Sequence, residues 1–157
     1  MATKIFIHGL DSSSKGTKGT FFRQHYPDMI IPDFPGSLEE RMGILTDVLK
    51  DKNDIVLVGS SFGGLMATLF TLDNEERVKR LVLLAPALNL ADPGTFDGRT
   101  ITVPTWIYHG LKDEVIPLGE IKNIGQNLFK RLTFVELDDD HNLHSTFQDL
   151  PWDKLLA

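Results

Sequence analysis

The sequence predicts an α/β fold in which a mainly parallel sheet of about six strands lies between two layers of helices. Short apolar runs alternate along the chain with segments of helical periodicity, and several of the runs end at a glycine or a proline. This alternation is typical of βαβ units, whose crossovers are right-handed. The 157 residues suit one domain, residues 1–157, without an internal repeat or a linker.

Each element has its own local signal. Apolar runs predict strands at residues 4–8, 29–32, 55–58, 80–85, 103–109 and 132–137. Helices are predicted at residues 17–25, after Ser37, from residue 63 to about 72, around residues 121–128 and after Pro151. Ser37 and Glu40 have the spacing of a capping box. Residues 87–99 show no clear period and are predicted to form a loop.

Composition excludes several classes of protein. The chain has no cysteine, which rules out disulfides, thiolate metal sites and a cysteine nucleophile. The net charge of −6 and the scattered basic residues argue against a nucleic-acid partner. No apolar run approaches the roughly 20 residues that span a bilayer, and no signal-peptide pattern follows Met1. We therefore expect a cytoplasmic protein without a membrane partner.

Residues 59–63, Gly-Ser-Ser-Phe-Gly, fit the Gly-x-Ser-x-Gly pattern with Ser61 at its centre. A buried strand precedes the pattern and a helix follows it, which is the setting of a nucleophile elbow. In such a turn the serine is held in a strained conformation, with its oxygen at the positive end of the helix dipole. The pattern is only five residues long, and it has two alternative interpretations. In the first, Ser61 is an ordinary turn serine, and in the second, Ser60 is the nucleophile.

An acid and a base follow Ser61 at later strand ends. Asp113 comes after the fifth predicted strand, and His141 after the sixth. Parallel strands place their carboxyl ends at one edge of a sheet, where ligands bind. Ser61 is thus predicted to attack an acyl carbon, His141 to take its proton, and Asp113 to orient His141.

Rival residues accompany each of these roles. His144 is the alternative base and Glu114 the alternative acid. His8 and His109 precede glycines at strand ends and are predicted to be hydrogen-bonded structural residues. The run of aspartates at residues 138–140 suggests a solvated turn more than a cation site, and we expect no metal and no cofactor.

The negative oxygen of an acyl-transfer intermediate needs preorganised donors. The backbone N–H of Phe62, directly after Ser61, is the first candidate. The backbone N–H of Leu10 is the second, because it follows the first strand and Gly9 allows close approach.

These motifs, in their chain order, resemble those of the α/β-hydrolase superfamily over nearly the whole chain. The first half is similar to the YqiA-type bacterial esterases, on residues 8–13 with Lys15 close behind, residues 29–32 and residues 58–64. Those esterases have phenylalanine and asparagine where this chain has Leu10 and Asp11. The second half is similar to the wider superfamily at residues 84–87, 109–117 and 140–141.

The resemblance implies a minimal α/β-hydrolase fold with strands in the order 2-1-3-4-5-6 and no large cap. Residues 88–100, where a cap is often inserted, are long enough only for a flap. An open, shallow site follows, with Leu10, Phe62, Leu88 and Ile116 as expected pocket walls.

The expected function is hydrolysis of a short-chain or soluble acyl ester, with that small molecule as the partner. A thioesterase, an acyltransferase or a peptidase would use the same residues. A non-catalytic binding protein on a hydrolase fold is the alternative of a different class. The sequence leaves the oligomeric state open.

Overall fold

The computed structural model describes residues 2–157, in which five parallel strands form one sheet in the order β1-β2-β3-β4-β5. The strands are β1 (Thr3–Ile7), β2 (Ile55–Ser60), β3 (Val78–Leu84), β4 (Thr105–Gly110) and β5 (Leu132–Leu137). The helices are α1 (Thr17–His25), α2 (Leu38–Val48), α3 (Phe62–Asp73), α4 (Leu118–Leu128) and α5 (Trp152–Leu155). Short 3₁₀ helices cover Glu75–Arg77, Leu88–Leu90 and Phe147–Asp149.

The sheet is the middle layer of a three-layer sandwich, as the sequence predicts. Alternate strand residues such as Ile5, Leu57 and Leu81 point to one face, where they pack with α2, α3 and α4. Their neighbours, such as Phe6 and Val56, point to the other face, where they pack with α1 and α5. Burial on both faces explains why the inner strands β2, β3 and β4 are largely apolar runs rather than alternating ones, whereas the edge strand β5 is partly exposed.

The strand predicted at residues 29–32 is reduced to a single bridge. Ile30 pairs with the outer edge of β1, donating to the carbonyl of Lys4 and accepting from the N–H of Phe6. The next donor needed by the ladder would be residue 32, and Pro32 has no N–H. The segment nevertheless lies beside β1, the place that the predicted strand order requires.

Helix and loop predictions agree closely with the structure. The capping box of α2 is present, since the Ser37 hydroxyl accepts from the Glu40 N–H and the Glu40 carboxylate accepts from the Ser37 N–H. The predicted loop after β3 contains the short 3₁₀ helix Leu88–Leu90 and otherwise consists of turns, so no large cap covers the sheet. Within residues 2–157, none of the helices has the length and apolar character of a bilayer span.

Candidate active site

Ser61 occupies a strained turn between β2 and α3. Its φ of 54° and ψ of −114° lie in a region that residues with a side chain rarely adopt. Glycine is required on both sides: a Cβ on Gly59 would collide with the carbonyl of Gly63, and one on Gly63 with that of Ile7. The backbone of Ser61 is held by the carbonyl of Leu84 and by the N–H of Ala87.

The structure brings Ser61, His141 and Asp113 into one hydrogen-bonded chain. The Ser61 Oγ lies 3.1 Å from Nε2 of His141, and Nδ1 of His141 lies 2.7 Å from Oδ2 of Asp113. Because a carboxylate only accepts, the proton of a neutral His141 is on Nδ1, and Nε2 is free to accept from the serine hydroxyl. The His141 side chain is 16% exposed and that of Asp113 is fully buried.

The Asp113 carboxylate is held in place by its own loop. Its Oδ1 accepts from the backbone N–H groups of Val115, at 2.8 Å, and Ile116, at 2.7 Å. The other oxygen, Oδ2, stays available for His141. The carboxylate is thus fixed on one side and faces the base with the other.

The rival residues lie elsewhere. His144 is exposed and its Nδ1 lies 2.6 Å from Oδ2 of Asp140. Glu114 is exposed, and Ser60 is the last residue of β2, paired with Leu84 of β3. None of the three joins the chain from Ser61 to Asp113 within the described residues.

His109, at the end of β4, is a fully buried neighbour of this chain. Its Nε2 donates to the carbonyl of Ile116 at 2.9 Å and lies 3.3 Å from Oδ2 of Asp113. Burial lowers the pKa of His109, and the Ile116 carbonyl and the Asp113 charge only partly oppose that effect. The ring is therefore neutral at pH 7 and braces the Asp113 loop, in agreement with the structural role predicted for it.

The two amides predicted as oxyanion donors are free. Within residues 2–157, neither Leu10 N–H nor Phe62 N–H donates to a protein acceptor. Gly9 lies directly against Ser61, since a Cβ on it would be 3.5 Å from the Cβ of Ser61. Leu10, the next residue, lines the same cleft as Ser61.

His8 orients the Leu10 amide, a role that its position in the sequence does not reveal. Its Nε2 accepts from the N–H of Phe34 at 2.9 Å, so the ring proton is on Nδ1. Nδ1 then donates to the carbonyl of Gly9 at 2.7 Å. In a trans peptide the N–H points away from the carbonyl, so this bond directs the Leu10 N–H to the opposite side.

An open cleft of about 680 Å³ lies over Ser61 and His141. Leu10, Phe62 and Ile116 line it, as predicted. Leu88 does not, because its side chain is buried in the core at 1% exposure. Leu90, two residues on, lines the cleft instead and is 54% exposed.

The cleft is also lined by residues of α1 and of the last loop, among them Lys18 and Asn142. Lys18 donates through Nζ to the carbonyl of Asn142, the residue after the base, at 2.7 Å. Burial lowers the pKa of Lys18, although the carboxylates of Asp140 and Asp139 act in the other direction. Lys18 is not evident from the sequence, because nothing local links α1 to residue 142.

The aspartates at residues 138–140 form part of this loop. Asp139 is buried and accepts from the backbone N–H groups of Ser145 and Thr146 and from the Thr146 hydroxyl. Burial alone would raise the pKa of Asp139, but these hydrogen bonds outweigh it and the pKa is lowered. The three aspartates thus form an internally braced turn in which Asp139 is buried, while Asp138 and Asp140 reach solvent. Within residues 2–157 no three acidic or histidine side chains are grouped to hold a metal ion.

The family model described as alpha/beta hydrolase fold matches residues 9–102, which include the Leu10 loop and the elbow. That match covers more than half of the chain, and the chain therefore belongs to the α/β-hydrolase family. None of the curated proteins matches the sequence significantly. The narrower similarity to YqiA-type esterases stays a prediction.

Solved structures of the same fold match nearly the whole chain. Est1E from Butyrivibrio proteoclasticus is 21% identical with a TM-score of 0.78, covering 98% of this chain and 85% of that one. An alpha-beta serine hydrolase homologue from Coxiella burnetii is 19% identical with a TM-score of 0.78, covering 98% and 83%. A monoacylglycerol lipase from Paleococcus ferrophilus is 15% identical with a TM-score of 0.77, covering 98% and 92%. At these identities the likeness concerns the fold.

Proposed function

We propose that the protein is a serine hydrolase that cleaves carboxylic esters with short or soluble acyl groups. The hydrogen-bonded chain from the Ser61 Oγ through His141 to Asp113 carries this proposal. A strained serine, a neutral imidazole in the right tautomer and a buried carboxylate together are what nucleophilic acyl transfer requires.

In the first half-reaction, Ser61 Oγ bonds to the ester carbonyl carbon while its proton moves to Nε2 of His141. The π pair of the carbonyl moves onto its oxygen, which accepts from the N–H groups of Leu10 and Phe62. Collapse of this intermediate breaks the bond to the leaving alkoxide, which takes the proton from His141. The products are a free alcohol and an acyl-Ser61 ester.

Water completes the cycle by the same route. His141 takes a proton from the water as its oxygen bonds to the acyl carbon, and the second intermediate expels Ser61 Oγ. The serine recovers its proton from His141, and the carboxylic acid leaves. Throughout, the Asp113 carboxylate stabilises the imidazolium that forms in each step.

The shape of the cleft supports a small acyl group. Leu10, Leu90 and Val115 at its rim are half exposed or more, so they offer apolar contact without enclosing a long chain. An apolar contact of this kind stabilises each buried methylene by about 0.8 kcal/mol, and an open rim limits how many are buried.

A series of p-nitrophenyl esters with acyl chains of rising length tests the proposal. Wild type should hydrolyse them with the highest kcat/KM for the shortest chains, and Ser61→Ala should be inactive. Ser60→Ala is the matched control, because it removes the adjacent hydroxyl and should stay active. A folded wild type without activity would contradict ester hydrolysis, and a preference for long chains would contradict the substrate class.

A further inference from the structure

Arg41 of α2 is a buried cation that contacts both residues of the proposed oxyanion hole. The side chain is only 5% exposed. Its Nε donates to the carbonyl of Gly36 at 2.8 Å, and its Nη2 donates to the carbonyl of Leu10 at 3.3 Å. The guanidinium carbon lies 5.4 Å from the centre of the Phe62 ring.

This guanidinium has no counter-ion among residues 2–157. None of the ion pairs there includes Arg41. Its third nitrogen, Nη1, is buried and has no hydrogen-bond partner. Burying a charge without an opposite charge is costly, and the two carbonyls and the Phe62 ring offset that cost only in part, since Nη1 stays without a partner.

We propose that Arg41 is a positioning residue of the oxyanion hole, an inference that rests on the proposed ester hydrolysis. Its bond to the Leu10 carbonyl holds the loop that carries the Leu10 amide, and His8 holds the preceding peptide. Its charge stays unbalanced until attack by Ser61 moves the carbonyl π pair onto the substrate oxygen. The positive field then favours the negatively charged intermediate over the neutral ester, which raises kcat more than it lowers KM.

Arg41→Met tests the role, because methionine keeps much of the length but neither the charge nor the donors. We expect kcat on p-nitrophenyl acetate to fall about 10- to 100-fold, somewhat less than loss of a direct oxyanion donor, while KM changes little. The affinity for phenylboronic acid, which forms a tetrahedral anion on a serine, should fall in parallel. Arg41→Lys, which keeps the charge, should restore most of both.

Arg77→Met is the matched control. Arg77 also donates to a backbone carbonyl, that of Lys52, and lies 5.5 Å from a phenylalanine ring, that of Phe70. It directly precedes β3 and so lies at the amino-terminal ends of the strands, whereas Ser61 lies at their carboxyl ends. Its loss should lower the melting temperature and leave kcat and phenylboronic acid affinity unchanged.

A folded Arg41→Met variant with wild-type kcat would overturn this inference. An equal loss of kcat in Arg77→Met would also overturn it. If Arg41→Met does not fold, Arg41→Gln takes its place, because glutamine keeps a hydrogen-bond donor but lacks the charge. Wild-type kcat in Arg41→Gln would overturn the positioning role in the same way. An inactive wild type would instead overturn the ester hydrolysis on which the inference rests.

Discussion

At the scale of single residues, two histidines three positions apart have different partners. His141 lies between Ser61 and Asp113 at 3.1 and 2.7 Å. His144 is turned to solvent and bound to Asp140. Of the two, only His141 lies between a serine hydroxyl and a buried carboxylate, which is the arrangement that the proposed proton relay needs.

Replacing the two histidines one at a time separates their roles. His141→Ala removes the base and should lower kcat by about 10⁴-fold or more, because the serine then has no proton acceptor. His144→Ala, the matched control, should leave kcat close to wild type, since its ring contacts neither Ser61 nor Asp113. Both are measured by steady-state ester hydrolysis, and a larger loss in His144→Ala would refute the assignment of the base.

The residues at strand ends can be predicted from the sequence, but the directions of side chains in irregular segments cannot. Ser61, Asp113 and His141 each follow a strand, and parallel pairing brings strand ends together. Leu88 and Leu90 instead lie in a 3₁₀ helix, where residues two apart point in different directions. Arg41 escapes prediction because two of its partners, Leu10 and Phe62, are distant from it in sequence.

At the scale of elements, Gly110 allows the loops after β4 and β5 to meet. It is the last residue of β4, and the loop that carries Asp113 starts there. A Cβ on Gly110 would collide with the carbonyl oxygens of Asp139 and Asp140, which directly precede His141. The contact between Asp113 and His141 therefore depends on a position without a side chain.

Gly110→Ala should push the two loops apart and lengthen the distance between Asp113 and His141. Because misplacement by about 1 Å can cost a factor of about 100 in rate, we expect kcat to fall at least that far. Gly119→Ala is the matched control: in α4 an added Cβ meets nothing within 4 Å, and alanine favours the helix. Equal hydrolysis rates in both variants would show that the loops do not need this close approach.

Element boundaries follow from backbone chemistry that the sequence reveals only in part. The helix start at Ser37 is predictable because the capping box is local. The loss of the strand at residues 29–32 depends on which N–H the ladder needs next, and that register appears only in the folded sheet. Pro32 is visible in the sequence, but its effect depends on its alignment with β1.

At the scale of the whole molecule, strand register assembles a site from distant residues. Gly59 pairs with Ile7, Ser60 with Leu84 and Gly110 with Leu137, so the ends of all five strands share one edge. Ser61 and His141, 80 residues apart in the chain, then come within hydrogen-bond distance. The three-layer fold was predictable because the inner strands are buried on both faces and are largely apolar.

Acylation of Ser61 is the event on which the account depends, and it is measured directly by intact-protein mass spectrometry. Wild type mixed with p-nitrophenyl acetate and quenched in acid should gain the mass of one acetyl group, located by digestion to the peptide with Ser61. Ser61→Ala should gain none under the same conditions. Ester turnover without acetyl-Ser61 in wild type, or equal acetylation of Ser61→Ala, would contradict the account.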